Sequence, residues 1–388
     1  MSDKTIAIIG AGIGGVAAAV ALHQAGICVK VFERVDRLRE AGAGMSLWPN
    51  GTAVLQQLGL LDAVIAQGHS GTRFQVRSRT GEVLMRIGTA QAETPTICIH
   101  RADLLRILAD ALPPDCLATE HEVADLKFSG NKVDLCFTNG DRLICDGVVG
   151  ADGMHSAMRG RLASMSKPVY RGYAIFRGIA DLAENLSVEN NSESWGEGSR
   201  FGILSIGENK VCWYATVNLS KPPVAAEWPK ERLQEKFRDW HSPIPELIAT
   251  TAPSAIMINA ARDQQPFRRW NKGPATLLGD ASHALTPNLG QGACMALEDA
   301  LVLANCFKRR TDVSEGFRLY ESMRFHRVRN AIWRSRWLGA VGQWENCAIV
   351  SLRNAITKAV PGRLFECHSS FDQFMAILGG ETQAVRAI

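Results

Sequence analysis

Ten cysteines, Cys28, Cys98, Cys116, Cys136, Cys145, Cys212, Cys294, Cys306, Cys347 and Cys367, include no C-x-x-C pair, which argues against a zinc ribbon and against a disulfide framework. Several fall in apolar strand-like runs, where a free cysteine packs as a small hydrophobe, and a reducing cytoplasmic setting is expected. No Gly-x-Ser-x-Gly elbow is present to carry a hydrolase nucleophile, and no metal-ligand cluster stands out. A formal net charge of +4 over 388 residues gives no basis for a nucleic-acid-binding surface. The only basic cluster, Arg324 to Arg336, carries Phe325, Val328, Ile332 and Trp333 at helical spacing and reads as a solvated helix face. No run is long and apolar enough to span a bilayer. The apolar stretch Thr5 to Leu22 is explained better by its glycine spacing than as a signal peptide. There is no internal repeat and no low-complexity linker. What remains is a globular chain, 46% hydrophobic, with residues enough for a sizeable core.

Three glycine and acid segments stand in a fixed order: Gly10-Ala-Gly12-Ile-Gly14-Gly15, Gly150-Ala-Asp152-Gly153 and Leu278-Gly279-Asp280 through Pro287. The first follows the apolar run Thr5–Ile9 and precedes a helical stretch, Val16–Leu22, that Gly26 ends. In such a strand–turn–helix, Gly10 permits the tight turn, Gly12 lets the backbone approach a pyrophosphate, and Gly15 allows close helix–strand packing, with the helix N-terminus facing the anion. The next apolar run, Cys28–Phe32, ends in Glu33, placed to accept hydrogen bonds from an adenosine ribose. That pattern predicts dinucleotide binding and an unphosphorylated ribose, as in FAD or NAD.

The glycine-rich loop Gly42-Ala-Gly44-Met-Ser46 suits close approach of the backbone to a ligand. A helix is expected over 52–61, and Arg101 stands at the start of another with Leu104, Leu105 and Leu108 on its inner face. Residues 123–150 alternate as a meander with turns at Ser129-Gly130-Asn131 and Asn139-Gly140-Asp141. From about 170 to 258, alternating runs predict a second, mostly antiparallel sheet. A long helix follows over 293–304, then helices to the end. The fold class is therefore α/β: a Rossmann-like domain in two parts, 1–169 and 266–388 with C-terminal helices, and an inserted β-sheet substrate domain at 170–265.

Together these segments resemble the FAD-dependent aromatic hydroxylases, the single-component class A flavoprotein monooxygenases that include the para-hydroxybenzoate, salicylate and urate hydroxylases. The resemblance covers nearly the whole chain. It implies that Gly12, Gly14 and Gly15 cradle the FAD pyrophosphate, that Glu33 holds the ribose with Arg34 and Ser46 nearby, and that Arg101 reaches the pyrophosphate. It implies also that Val123 meets the adenine through its backbone, that Asp280 binds the ribityl chain, and that Gly290, Gln291, Gly292, Ala293 and Cys294 pass beneath the isoalloxazine. That turn opens a helix whose N-terminus can stabilise negative charge on reduced flavin. Asp152 and Arg159 are associated with FAD and with transient NAD(P)H contact, although a helix-capping Asp152 and a carboxylate-paired Arg159 would look the same in sequence. His155 and His283, both within these motifs, read as structural or flavin-adjacent.

The activity implied is NAD(P)H-dependent insertion of one oxygen atom of O2 into a planar aromatic or heteroaromatic small molecule through a C4a-hydroperoxyflavin, with no protein nucleophile and no metal. On the substrate side the candidates are Arg200, Phe201 and Trp213. Core packing is the alternative for the two aromatics, and a solvent-facing position the alternative for Arg200. A flavin oxidase or dehydrogenase, or a non-catalytic FAD-binding redox sensor, would share the cofactor motifs.

Overall fold

The computed structural model describes residues 2–38, 43–71, 73–88, 93–163, 167–182, 190–207 and 209–362. Part of the glycine-rich loop, residues 39–42, and Cys367 lie outside them. The first half of the chain runs β1 (Ser2–Ile9), α1 (Ile13–Gln24), β2 (Ile27–Phe32), β3 (Gly44–Leu47), α2 (Pro49–Gln57), α3 (Leu61–Gln67), β4 (His69–Ser70), β5 (Arg73–Ser78), β6 (Val83–Gly88), β7 (Ile97–His100) and α4 (Arg101–Asp110). It continues with β8 (Leu117–Ala118), β9 (Val123–Ser129), β10 (Lys132–Phe137), β11 (Arg142–Cys145), β12 (Gly147–Gly150) and α5 (Ala157–Leu162). The second half holds β13 (Val169–Asp181), β14 (Asn191–Trp195), β15 (Ser199–Ser205), β16 (Lys210–Asn218), α6 (Lys230–Phe237), α7 (Ile244–Thr250), β17 (Met257–Asp263), β18 (Ala275–Leu277), α8 (Asp280–His283), α9 (Gly292–Arg309), α10 (Val313–Gly342) and α11 (Cys347–Ala359).

A five-stranded parallel sheet, in the order β18-β12-β1-β2-β8, forms the Rossmann-like layer. Its inner strands read as continuous apolar runs because both faces are covered: Ile6, Ala7, Ile8, Val148 and Val149 have no exposed surface. All three glycine–acid segments leave this sheet at the same edge, since Ile9 pairs with Gly150 and Gly150 with Leu277. Segments some 130 residues apart in sequence thus emerge from neighbouring strand ends, where ligands bind in open α/β sheets.

A seven-stranded sheet, β17-β13-β16-β15-β14-β5-β6, forms the second layer. Its last two strands come from residues 73–88, ahead of the region where alternation marked a second sheet. They join through one parallel pairing, Ser192 against Gln75, which needs a distant segment and leaves no hairpin signature. One face is covered by α6 and α7, with Phe176, Phe201, Trp213, Phe237 and Leu247 buried between sheet and helices. The other face turns toward the Rossmann-like layer. A helix was expected over 52–61; the helical turns instead run 49–57 and 61–67.

The basic stretch 324–336 lies on α10, but not as a solvated face. Arg324 is 1% exposed, while Trp333 is 55% exposed. Charge pairing with α9 overrides the amphipathic pattern here, as described below.

Gly15 is the tightest contact in the Rossmann-like turn. A Cβ there would stand 2.0 Å from the carbonyl oxygen of Gly10, which itself has φ +105°. Backbone cannot yield as a flexible side chain would, so Gly15→Ala is expected to lower stability by about 1–3 kcal/mol through overpacking. Urea unfolding with and without FAD measures it, and an unchanged midpoint would contradict this packing.

Candidate active site

The fingerprint glycines divide their work by geometry. Gly12 is the N-cap of α1, with nothing within 4 Å of where its Cβ would be. A Cβ at Gly14 would instead stand 3.0 and 3.1 Å from the side chains of Leu278 and Ala296, so its hydrogen serves packing between α1, α9 and the third motif. Open space at Gly12 with a helix N-terminus behind it suits a pyrophosphate. Glu33 closes the turn: its Oε2 accepts the Ala11 N–H at 2.9 Å and its Oε1 accepts the Arg34 N–H at 3.0 Å. The carboxylate thus stands beside the glycine turn with lone pairs to spare for a ribose. The Arg34 side chain is exposed next to it.

Asp152 and Ser156 organise the second motif. Asp152 accepts from Ser156 Oγ at 2.5 Å and from the Met158 N–H at 3.0 Å, while Ser156 caps α5. Arg159, 4% exposed, donates to the carbonyls of Ala281 and Met154 at 2.9 and 2.7 Å. It therefore pairs with backbone rather than with a carboxylate, and it ties the second motif to the third. The Val123 carbonyl accepts from Arg161 at 3.2 Å. His155 is exposed.

Asp280 opens α8 and is exposed, yet the protein around it pushes its carboxyl above the ordinary range, an effect that His283, Arg101 and Arg159 partly oppose. Exposure together with desolvation marks a group lining a narrow cleft. Arg101, at the start of α4, and Arg159 thus converge electrostatically on Asp280 from separate motifs. Ser46 is on β3 within reach of the Cys98 sulfur, 3.4 Å.

The turn before α9 has Gly290 at φ +62° and Gly292 in open space. Gln291 accepts from Asn50 at 2.9 Å; Ala293 is half-buried and Cys294 fully buried, its sulfur accepting from the Trp48 backbone N–H at 3.4 Å. The Trp48 indole N–H is buried and has no acceptor among the described residues. A buried orphan donor requires explanation, and this one stands beside Gly290. These features together fit FAD: a glycine-opened helix N-terminus for the pyrophosphate, an acid for each sugar-like chain, and a second open helix N-terminus for the ring.

A buried charge set behind this turn was not visible in the sequence. Glu298 and Asp299, neighbours in mid-α9, are wholly buried. Arg324 reaches both, at 2.6 Å each, and Arg327 also pairs with Glu298. Asp299 further accepts from His283 Nε2 at 2.5 Å and from the Gly279 N–H at 3.0 Å, and Asn50 donates to Glu298 at 2.6 Å. Burial pushes the Asp299 carboxyl up, but His283 and Arg324 more than offset it and hold it at about 2.

On the sheet face turned toward this turn, Arg200 is 1% exposed and engaged on all three nitrogens. Nε donates to Gln343 Oε1 at 2.9 Å, NH1 to Glu193 Oε1 at 3.3 Å and NH2 to Asn288 Oδ1 at 2.6 Å. It is not solvent-facing. Tyr173 also donates to Asn288, at 3.2 Å, and Tyr214 to Glu193 at 2.5 Å. Phe201 and Trp213 are not with them: strand alternation turns both to the opposite face, where they stack at 5.4 Å under α6 and Trp213 donates to Thr251 at 2.8 Å. Period-2 alternation in sequence shows that neighbours point apart, but not which face is which.

Residues 3–334 match the model of the FAD binding domain family, and the chain belongs to that family: it is an FAD-binding flavoprotein monooxygenase of class A, which uses NAD(P)H as reductant. It is similar to aurachin C monooxygenase/isomerase of Stigmatella aurantiaca, 37% identical over 358 residues, covering 91% of this chain and 94% of that protein. It is likewise similar to FAD-dependent urate hydroxylase of Klebsiella pneumoniae (32% over 342 residues; 85% and 88%) and to 6-hydroxynicotinate 3-monooxygenase of Pseudomonas fluorescens (31% over 340; 83% and 88%). The fold superposes on HpxO of Klebsiella pneumoniae complexed with FAD and uric acid with a TM-score of 0.86 at 27% identity, covering 98% of each chain. Among the described residues no helix is long and apolar enough to cross a membrane, and no group of His, Cys, Asp or Glu is arranged to hold a metal.

Two outcomes are expected. Glu33→Lys replaces an acceptor beside the turn with a cation; losing a charge-assisted hydrogen bond costs roughly 1.5–3 kcal/mol, so FAD affinity measured by titration should fall at least about tenfold. The second concerns acid. Because the folded Asp299 carboxyl titrates below its unfolded value of about 4, its contribution to stability is complete above that value and disappears as pH falls toward 2. Denaturant midpoints between pH 4 and 2 should fall more steeply in the native protein than in Asp299→Asn, which will be destabilised at neutral pH by about 3–5 kcal/mol because Arg324 loses a partner.

Proposed function

We propose that this protein is an NAD(P)H-dependent monooxygenase that inserts one oxygen atom of O2 into a planar aromatic or heteroaromatic small molecule. The observation that carries this reading is the join at Asn288. This residue of the turn before α9 accepts from both Arg200 and Tyr173, so the sheet face rich in polar groups is bonded to the segment assigned to the flavin ring. Relatives whose names give urate and 6-hydroxynicotinate as substrates support a heteroaromatic ligand.

FAD, when bound, supplies the redox chemistry, taking a hydride from NAD(P)H and activating O2. The protein's part is to bind, orient and exclude water. Gly12 and the N-terminus of α1 would hold the pyrophosphate, Glu33 the ribose and Asp280 the ribityl chain, with Arg34, Ser46, Arg101 and Val123 along the adenosine and pyrophosphate. Gly290 to Cys294 would lie beneath the ring, where the α9 N-terminus favours negative charge. Asp152 and Arg159 brace this site from behind by joining the second and third motifs. Glu193, buried between Arg200 and Tyr214, accepts from both and so orients the Tyr214 phenol. Phe201 and Trp213 support the sheet from its far side.

The chain carries one dinucleotide fingerprint and no second one for NAD(P)H, which favours a nicotinamide that visits transiently, with reduction controlled by substrate. In anaerobic stopped-flow measurements over a panel of phenols, pyridines, quinolones and purines, the true substrate should speed reduction of bound FAD at least about tenfold, equivalent to about 1.4 kcal/mol of barrier. Labelled oxygen from O2 should appear in the product. Stoichiometric hydrogen peroxide without labelled product would instead identify an oxidase, and absence of NAD(P)H consumption a flavin-binding sensor.

A further inference from the structure

The tryptophans of this chain divide into two kinds. Trp195, Trp213, Trp228 and Trp270 are buried, whereas Trp333, Trp337 and Trp344 are 55, 62 and 41% exposed. All three exposed rings belong to α10 and the turn that ends it. At 3.6 residues per turn, Trp333 and Trp337 project opposite to Ser335, Gly339 and Gly342, which are buried. A Cβ at Gly339 would run into Asn288, and one at Gly342 would stand 2.8 Å from Arg200. The inner side of this helix end is therefore committed to the join between the two layers, and the tryptophans form a row along its outer side, which Trp344 continues two turns on. Arg336 lies over the Trp333 ring at 4.8 Å and is itself held by Asp263, which braces that ring. Trp337 and Trp344 have no ring or cation partner among the described residues. Single exposed apolar residues are ordinary, but a row of large aromatic ones marks an interaction site.

The charges around the row have one sign. Arg329 and Arg334 flank it on either side, and neither forms an ion pair among the described residues. Between Arg324 and Ala359 the only acidic residue is Glu345, and it accepts from Asn218. Whatever meets this face meets aromatic rings and positive charge together. Tryptophan favours the headgroup depth of a bilayer, where its ring is partly in hydrocarbon and its N–H meets polar groups, and flanking arginines add attraction to anionic lipid. A second copy of the chain fits less well, because two-fold pairing through this face would bring the arginines of both copies together with no carboxylate between them.

We propose that the outer face of α10, from Arg329 to Trp344, docks on an anionic lipid surface. Trp333, Trp337 and Trp344 enter the headgroup layer, and Arg329 and Arg334 meet lipid phosphates. The contact is peripheral, with the helix lying along the surface. Because the opposite side of the same helix end meets Asn288 and Arg200, the docked surface stands one helix thickness, roughly 10 Å, from the join between the layers. The docking is independent of whether an aromatic substrate is oxygenated.

The test mixes the full-length, FAD-loaded protein with vesicles of phosphatidylcholine alone or of phosphatidylcholine with phosphatidylglycerol, and reads flotation together with quenching of tryptophan fluorescence by brominated lipid. Affinity for the anionic vesicles should be at least about tenfold the higher, and should weaken as salt is raised. Trp333→Ser combined with Trp337→Ser should lower that affinity at least about tenfold, with FAD content unchanged. Arg329→Gln combined with Arg334→Gln should remove most of the preference for anionic lipid. The inference is overturned if anionic vesicles do not float the protein, if both vesicle types bind it equally, or if the double tryptophan variant keeps full affinity. A dimer in solution that Trp337→Ser dissociates would also overturn it, giving this face to a second copy.

Discussion

Two adjacent buried carboxylates in the middle of α9 are the constraint around which the cofactor side of this protein is organised. Glu298 and Asp299 have no exposed surface, and two anions side by side in a low-dielectric interior stay ionised only if cations reach them. Arg324 supplies one charge to both, Arg327 a second to Glu298, and His283 a hydrogen bond to Asp299. The cations come from α10 and the histidine from the third glycine–acid motif, so satisfying the pair fixes α10 against α9 and fixes that motif against both. The Gly279 N–H and Asn50 complete the shell. With α9 held from its middle, its N-terminal turn at Gln291 and Gly292 is set in one place, and so is whatever ring system rests on that turn.

The second layer depends on strand alternation used in two directions. On β15 and β16, Phe201 and Trp213 stack beneath the helices while Arg200 and Tyr214 face the cofactor layer. The aromatic side is sealed by α6 and α7, which lets the other side carry buried polar groups on a rigid support. Asn288 then bonds the two layers directly, through Arg200 and Tyr173. Among the described residues, Arg200, Glu193, Tyr173 and Tyr214 on this face are paired with one another or with Asn288.

Several expectations drawn from local patterns agree with the structure for local reasons. The β1–turn–α1–β2 unit, the helix starting at Arg101 and the helix opening at Gly292 follow from apolar periodicity and from glycine at positions where backbone must turn or approach closely. The order of the three motifs and the class of cofactor could be recognised because a dinucleotide site built on strand ends uses short, contiguous segments. The antiparallel character of residues 170–258 was legible in the same way, from alternation.

What sequence could not determine was everything decided by which distant residues share a space. The basic run on α10 has the composition of a solvated face, and only the carboxylates of α9, about 25 residues earlier, draw Arg324 and Arg327 inward. The strands at 73–88 carry no mark of the sheet they join, because their link to it is a parallel pairing with β14. Alternation separated Arg200 from Phe201 and Tyr214 from Trp213 without saying which set faces the cofactor, since a period of two is the same from either side. Composition, glycine spacing and periodicity thus determined the layers and the cofactor class by themselves; the tertiary structure alone decided which sheet face meets the cofactor layer and which charges pair, because counter-charges are assigned by distance in space and not by order along the chain.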